Sequence, residues 1–335
     1  MAQPVAVYTD AVEEHLATRR SCGLFDFSFM GHFEIAGAGA RAFLDRLQTR
    51  NLALLGPGRI AYTLLLRPDG TVFIDATVWC LAPDRYWLFT GRWSDFAFVA
   101  EAVRELGVVV RDLSGATSVL AVQGPESARV LERHLGAAPG VAYFGFRDAK
   151  LAGVPVTIGR IGYSGELGYE LIVPGAAAPA LWRALAADAR ECGFEAANSL
   201  RVESGYILFA NELAGPVNPF GLGLERLVSF DGRAFTGSDA LRALRWRDPD
   251  QRLVGLDAFA RRAPSSLQGL PRADVTSRVR SPSFGRELAL GFAPAEAAAA
   301  GTLVAVSDTE LARVCRLPFF DPGRVLTRRL GGQKK

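Results

Sequence analysis

Histidine, paired cysteine and long apolar runs are all scarce in this 335-residue chain, and each scarcity removes a class of function. The three histidines, His15, His32 and His134, form no HxxxH or HxH pair, so no structural or catalytic zinc site is expected. The four cysteines, Cys22, Cys80, Cys192 and Cys315, include no CxxC pair and read as small buried hydrophobes. No apolar stretch reaches the roughly 18 residues that a membrane span needs. The most alanine-rich stretch, from Ala293 to Ala300, is interrupted by Pro294 and Glu296. The first residues lack the basic, apolar, then small-residue order of a secretory signal, and a cytoplasmic protein is expected. There is no G-x-G-x-x-G fingerprint, so the chain supplies no dinucleotide domain.

Charge of one sign is also missing. Against 38 basic residues stand 35 acidic ones, for a net charge of +3, too balanced to argue for nucleic acid. A mildly basic surface suits a polyanionic cofactor tail or an acidic partner. The closing RRLGGQKK reads as a solvated end.

What is present is a run of alternating element signals, long enough for two or three domains of roughly 100–200 residues. Residues 8–22 read as a helix, GLFDFSFMGHFEIAG as a strand ending at Gly37, and AGARAFLDRLQTRNL as an amphipathic helix. Three strands follow, divided by the turns Pro68-Asp69-Gly70 and Ala82-Pro83-Asp84. WSDFAFVAEAVRELG is expected to be a helix N-capped by Ser94. The pattern then repeats in outline: SVLAVQGPESARVLERHLG gives strand, turn and helix, VPVTIGRIGYSGELGYELIVP a strand pair around Ser164-Gly165, and GAAAPALWRALAADARECG a helix. This echo predicts two related α+β halves, split near residue 115. From about Asp248 the signal changes to short strands, which predicts a small all-β domain.

A few polar residues sit where apolar ones are expected. Asp75 ends the run Val72-Phe73-Ile74, and a carboxylate there is costly unless it is partnered, functional or turned outward. Tyr62 precedes it by thirteen residues, close enough to meet it across a hairpin. In GYSGELGYE, Gly162, Gly165 and Gly168 leave room for close backbone approach. Glu170 follows with apolar neighbours at 171–173, while Glu166 reads as a solvated turn residue. Arg201 opens a helix-like stretch, where it either has a binding role or pairs with Glu203 or Glu195.

Residues 23–51, 62–78, 160–174, 198–213 and 218–241, with VTSRVRSPSFGRELALGF and LPFF towards the end, together resemble the aminomethyltransferase, or glycine-cleavage T-protein, family. Their order and spacing carry the resemblance over residues 10–325. It implies an α+β, T-protein-like folate-binding fold, with a catalytic region over 1–247 and a small C-terminal β-barrel domain over 248–335. The implied activity is transfer of a one-carbon unit from an aminomethyl donor to tetrahydrofolate. A small molecule or a lipoylated carrier protein would bring the donor, with no nucleic acid, membrane or metal involved. By the resemblance, Asp75 is the catalytic residue beside the folate nitrogens. Tyr62 lines the pocket, Tyr163 is the stacking aromatic, Glu170 grips the pterin edge, and Arg201 contacts the pterin region. Two places depart from the family pattern. Phe29 stands where a histidine is usual, and Thr90-Gly91-Arg92 stands where an Asn-Ala pair is usual. Both concern the donor side, so a tetrahydrofolate-dependent demethylase of an N-, S- or O-methylated small molecule is an alternative. A non-catalytic folate-binding factor is a second, although the Lys-Gly-Cys motif of that branch is absent.

Overall fold

The computed structural model describes residues 3–104 and 107–329, so most of the terminal RRLGGQKK lies outside the described residues. The chain begins with α1 (Ala11–Arg20), β1 (Gly23–Asp26), β2 (Gly31–Ala36), α2 (Ala40–Leu47), β3 (Arg59–Leu66), β4 (Val72–Ala82), β5 (Arg85–Thr90), α3 (Phe96–Glu101) and β6 (Val109–Asp112). It continues with β7 (Thr117–Gln123), α4 (Ser127–Leu135), β8 (Phe146–Leu151), β9 (Val154–Gly159), β10 (Gly168–Pro174), α5 (Ala178–Ala186), β11 (Arg190–Glu191) and α6 (Phe194–Glu203). Last come α7 (Ser238–Leu244), β12 (Gln251–Arg261), β13 (Asp274–Arg280), β14 (Glu287–Pro294), β15 (Leu303–Ala305) and β16 (Glu310–Cys315). Among the described residues no helix is long and apolar enough to cross a membrane.

Among the described residues three sheets form, ordered β3-β4-β5-β2-β6, β11-β1-β7-β10-β9-β8 and β13-β14-β12-β16-β15. The first two face one another across an aromatic layer of Phe25, Trp79, Phe89 and Phe27, with Val119, Ala121 and Ile172. Their outer faces are covered by helices, α2 and α3 on one and α4 and α5 on the other. The fold is α+β, as its sequence pattern predicts.

Three local expectations need correction. The segment 23–37 is two strands. Asp26 accepts a hydrogen bond from the Ser28 amide, and the Met30 amide returns to the Phe27 carbonyl, closing a turn that no Gly or Pro announces. The break sends β1 into the second sheet beside β7, while β2 stays in the first beside β5. Ser94 does not cap α3. A 3-10 turn over Trp93–Asp95 precedes the helix, and the Asp95 carboxylate is taken up by Arg92. Glu105 and Leu106, at the end of that expected helix, lie outside the described residues. The C-terminal strands form a sheet whose edge strands β13 and β15 share no ladder; a single bridge, Arg272 with Ala305, spans the gap. A closed barrel is therefore not seen among the described residues.

The third sheet is tied to the rest through α6 and α1. Glu203, at the end of α6, is fully buried. It meets His15 Nε2 at 3.2 Å and Arg19 at 2.9 Å, and accepts from Ser283 Oγ at 2.7 Å and from Ser281 Oγ. Burial alone raises its pKa, but His15, Arg19 and Ser281 outweigh that and hold it down at about 2. A carboxyl depressed in the folded state stabilises the fold above its unfolded pKa and loses that contribution as pH falls through the folded value. Glu203→Gln is therefore expected to be less stable than the parent at neutral pH, by about 3 kcal/mol. The gap should narrow between about pH 4.5 and pH 2 in urea unfolding curves; a gap independent of pH in that window would show that the charge is not what matters.

Candidate functional site

Where the three sheets meet, a cavity of about 990 Å³ opens. Its floor is one face of the β3-β4-β5 sheet. Tyr62 is paired across the ladder with Thr77, and Thr77 with Phe89, so these side chains share a face with Asp75, two residues before Thr77. All four residues line the cavity. The β9–β10 connection contributes Tyr163 and Glu166, β10 itself Glu170, and the chain after α6 Tyr206 and Phe209. Segment 317–328 completes the wall with Pro318, Arg324 and Arg328.

Tyr62 Oη donates to Asp75 Oδ2 at 3.0 Å, so the pair foreseen in the sequence does form. Both residues are half-buried and line the cavity. Burial pushes the Asp75 carboxyl up to about 6, against the lowering effect of the Tyr62 hydrogen bond. Burial, and then the nearby Asp75 charge, hold the Tyr62 phenol well above its ordinary range. Such a carboxyl changes protonation close to neutral pH and can exchange a proton with a substrate.

Glu170 lies on β10 with the cavity in front of it, and burial pushes it up to about 7. Among the described residues no donor reaches its side chain. A buried carboxyl without a partner is costly, and every other buried glutamate among the described residues has one. Tyr163 stacks on Tyr206, with ring centroids 5.8 Å apart and planes 17° apart, and its hydroxyl donates to the Ile207 carbonyl. Arg324 lies over the far ring of this stack, 5.1 Å from the Tyr206 centroid. Neither Tyr206 nor Arg324 carries a sequence signal of its own; each enters through a loop that only the folded chain brings to the cavity.

Arg201 does not line the cavity. It is enclosed, with an ion pair to Glu212 at 2.8 Å and hydrogen bonds to Asn198 Oδ1, the Tyr206 carbonyl and Ser277 Oγ. Every arm of the guanidinium is spent on holding the 206–212 segment to α6 and β13, so the structure does not bring Arg201 to the cavity with the other expected site residues. The expected pairing with Glu203 or Glu195 is also replaced, since Glu203 belongs to His15 and Arg19. Glu166 is buried rather than solvated, with Arg19 Nη1 at 3.5 Å. The glycines of this loop serve internal packing: a Cβ on Gly162 or Gly168 would strike the Gln123 side chain, and one on Gly165 would strike Ser204. Phe29, Thr90 and Gly91, where the chain departs from the family pattern, all line the cavity. Among the described residues no three acidic, histidine or cysteine side chains gather as metal ligands.

Fold and site together define a two-sheet α+β protein, closed by a third sheet, that encloses a small-molecule cavity with two buried carboxyls in its wall. Residues 4–232 match the family described as the GCVT N-terminal domain. An aminomethyltransferase of Streptomyces avermitilis is 37% identical over 336 residues, covering 93% of this chain and 90% of that protein. One from Halothermothrix orenii is 33% identical, covering 93% and 92%. The crystal structure of glycine cleavage system aminomethyltransferase T from Bartonella henselae superposes with a TM-score of 0.83 at 25% identity, covering 95% of each chain. The chain belongs to the aminomethyltransferase family.

The raised pKa values of Asp75 and Glu170 have a consequence for stability. Groups whose folded pKa lies above the unfolded value favour the fold at low pH and lose that advantage as pH rises through the folded value. For Glu170, from 4.5 to about 7, this is on the order of 3 kcal/mol. Glu170→Gln, neutral at every pH, is expected to match the parent near pH 4 and to exceed its stability at pH 8. Thermal melts of the ligand-free protein across this range would expose an error, since a parent whose Glu170 already has a partner shows no such divergence.

Proposed function

We propose that this chain is a one-carbon transferase, an aminomethyltransferase of the glycine-cleavage T-protein kind, which moves a carbon from an aminomethyl donor to tetrahydrofolate held in the cavity. The observation that carries the reading is Glu170, a buried carboxyl facing the cavity with no donor among the described residues. The amino-amidine edge of a pterin is a planar pair of N–H donors and would meet that carboxylate bidentately, as a guanidinium does. The flat Tyr163–Tyr206 pair offers an aromatic surface beside it. Tetrahydrofolate, when bound, supplies the nitrogens that accept the carbon.

Asp75 takes up or returns a proton at the reacting amine, and its ionised form offsets positive charge developing at the transferred carbon. Tyr62 fixes the orientation of that carboxyl. Arg201 acts at a distance by holding the segment that carries Tyr206. Around the cavity, Arg50, Arg59, Arg226, Arg324 and Arg328 form no ion pair among the described residues. Guanidinium groups without an ion pair suit the glutamyl carboxylates of a folate and an acidic, lipoylated carrier protein that delivers the donor. In this reading residues 1–247 are the catalytic region in two α+β halves. Residues 248–335 are the closing domain, drawn towards a barrel by the Arg272–Ala305 bridge, and the enzyme works in the cytoplasm.

The test is incubation with tetrahydrofolate and an aminomethylated dihydrolipoyl donor, reading the folate product by mass. Methylenetetrahydrofolate with release of ammonia is expected. Methyltetrahydrofolate from a methylated amine would transfer the assignment to a demethylase, and folate binding without turnover to a non-catalytic factor. Asp75→Asn is expected to lower kcat by about 10²–10⁴-fold. Glu170→Gln is expected to weaken tetrahydrofolate binding by about 10- to 100-fold in calorimetry. An absence of any folate binding by the parent protein would sink the reading.

A further inference from the structure

We propose that Phe209 sets the size of the amine that fits beside Asp75, so that this chain admits ammonia and rejects alkylated amines. The inference rests on the transfer reading above and goes beyond it by naming the residue that selects the donor.

Thr90 pairs with Ala76, so the next residue, Gly91, comes opposite Asp75 at the end of the β4–β5 ladder. Cross-strand partners of this kind point to the same face of a sheet. At Gly91 that face is taken by Phe209: a Cβ built on the glycine would lie 2.3 Å from the Phe209 ring. The ring therefore occupies the place where a side chain at position 91 would stand beside the Asp75 carboxyl. Both Gly91 and Phe209 line the cavity.

Phe209 is not free to swing away. The Arg92 guanidinium lies 5.0 Å from its ring centroid, and Arg92 is also over Phe73 at 5.6 Å. Arg92 is held in turn by the buried Asp95, at 2.8 Å. The ring also packs against the cores on either side of it, that of the first sheet and that under the 207–241 segment. A rigid apolar wall thus stands next to the acid that handles the amine. Asp75 and Tyr62 supply the polar side of the subsite, and Phe209 supplies a boundary with no hydrogen-bonding group. Ammonia fits such a corner. Each added methylene on the amine must displace a clamped ring, and an apolar wall discriminates by about 10–200-fold per methylene.

The reverse reaction tests this with defined probes. Methylenetetrahydrofolate, free dihydrolipoamide and an amine are mixed with the full-length protein. The methylene carbon leaves two folate nitrogens and bonds to one thiol sulfur and to the amine nitrogen. One proton from the thiol and one from the amine end on the folate, giving tetrahydrofolate. Rates are compared for ammonia, methylamine and ethylamine, each corrected to its free base. The parent should lose kcat/KM by about 10-fold or more at each step, although the alkylamines are the better nucleophiles. Phe209→Ala should shrink the ammonia-to-ethylamine ratio by about 10-fold or more, with Phe209→Leu in between. Arg92→Met, outside the cavity wall, should relax the ratio in the same direction by unclamping the ring, and it keeps the test open if Phe209→Ala fails to fold. Turnover with unchanged ratios in variants that still bind tetrahydrofolate overturns the assignment of Phe209 alone. No turnover of ammonia by the parent overturns the transfer reading, and this inference with it.

Discussion

The cost of holding a carboxylate in a low-dielectric interior without a cation governs how this protein is built. Most buried acids answer that cost with arginine, and Glu14 answers it with the backbone amides of Tyr8, Thr9 and Gly193. Glu212 has Arg201, Glu203 has Arg19 and His15, Glu34 has Arg85 and Arg111, and Asp257 has Arg313 and Arg286. Two acids in the cavity wall do not. Among the described residues Asp75 has only a phenol for a side-chain partner, and Glu170 has none. Both are pushed towards neutral pKa values by burial. A structure that satisfies its buried charges so consistently leaves these two open for what enters the cavity.

The paired acids also explain how the cavity keeps its shape. Its walls come from three sheets and two long connections, elements with few local reasons to stay together. Arg201 and Glu203 sit on the same turn of α6 and point to different partners. Arg201 fixes the 206–212 segment and Ser277 of β13, while Glu203 fixes α1 and the Ser281–Ser283 turn. Tyr206 and Phe209, both on the segment Arg201 holds, become cavity walls as a result. Removing one partner of such a pair leaves a buried charge uncompensated, which is why these residues act on the site without touching it.

Much of the fold was legible in the sequence because its signals are local. The β3–β4–β5 meander is announced by Pro68-Asp69-Gly70 and Ala82-Pro83-Asp84, and α4 and α5 by their apolar periodicity. The failures are local too. The turn between β1 and β2 is made by Asp26 and backbone hydrogen bonds in an otherwise strand-like run. The true start of α3 depends on Arg92 taking Asp95 away from capping. At the site, Tyr62, Asp75, Tyr163 and Glu170 were found and do come together around one cavity. Arg201 stands behind the cavity wall, and Glu166, a solvated turn residue by sequence pattern, is buried against Arg19.

By itself the sequence determined where strands and helices run, and which acids stand in apolar company, because alternation and turn chemistry act over a few residues. It also determined the family, through the order of motifs spread along the chain. Only the tertiary structure decided which of those acids found a cation. It alone left Glu170 without one, enclosed Arg201 behind the wall, and set Phe209 on Gly91 beside Asp75. Burial and pairing depend on what distant segments bring to a point, and no window of sequence contains that information.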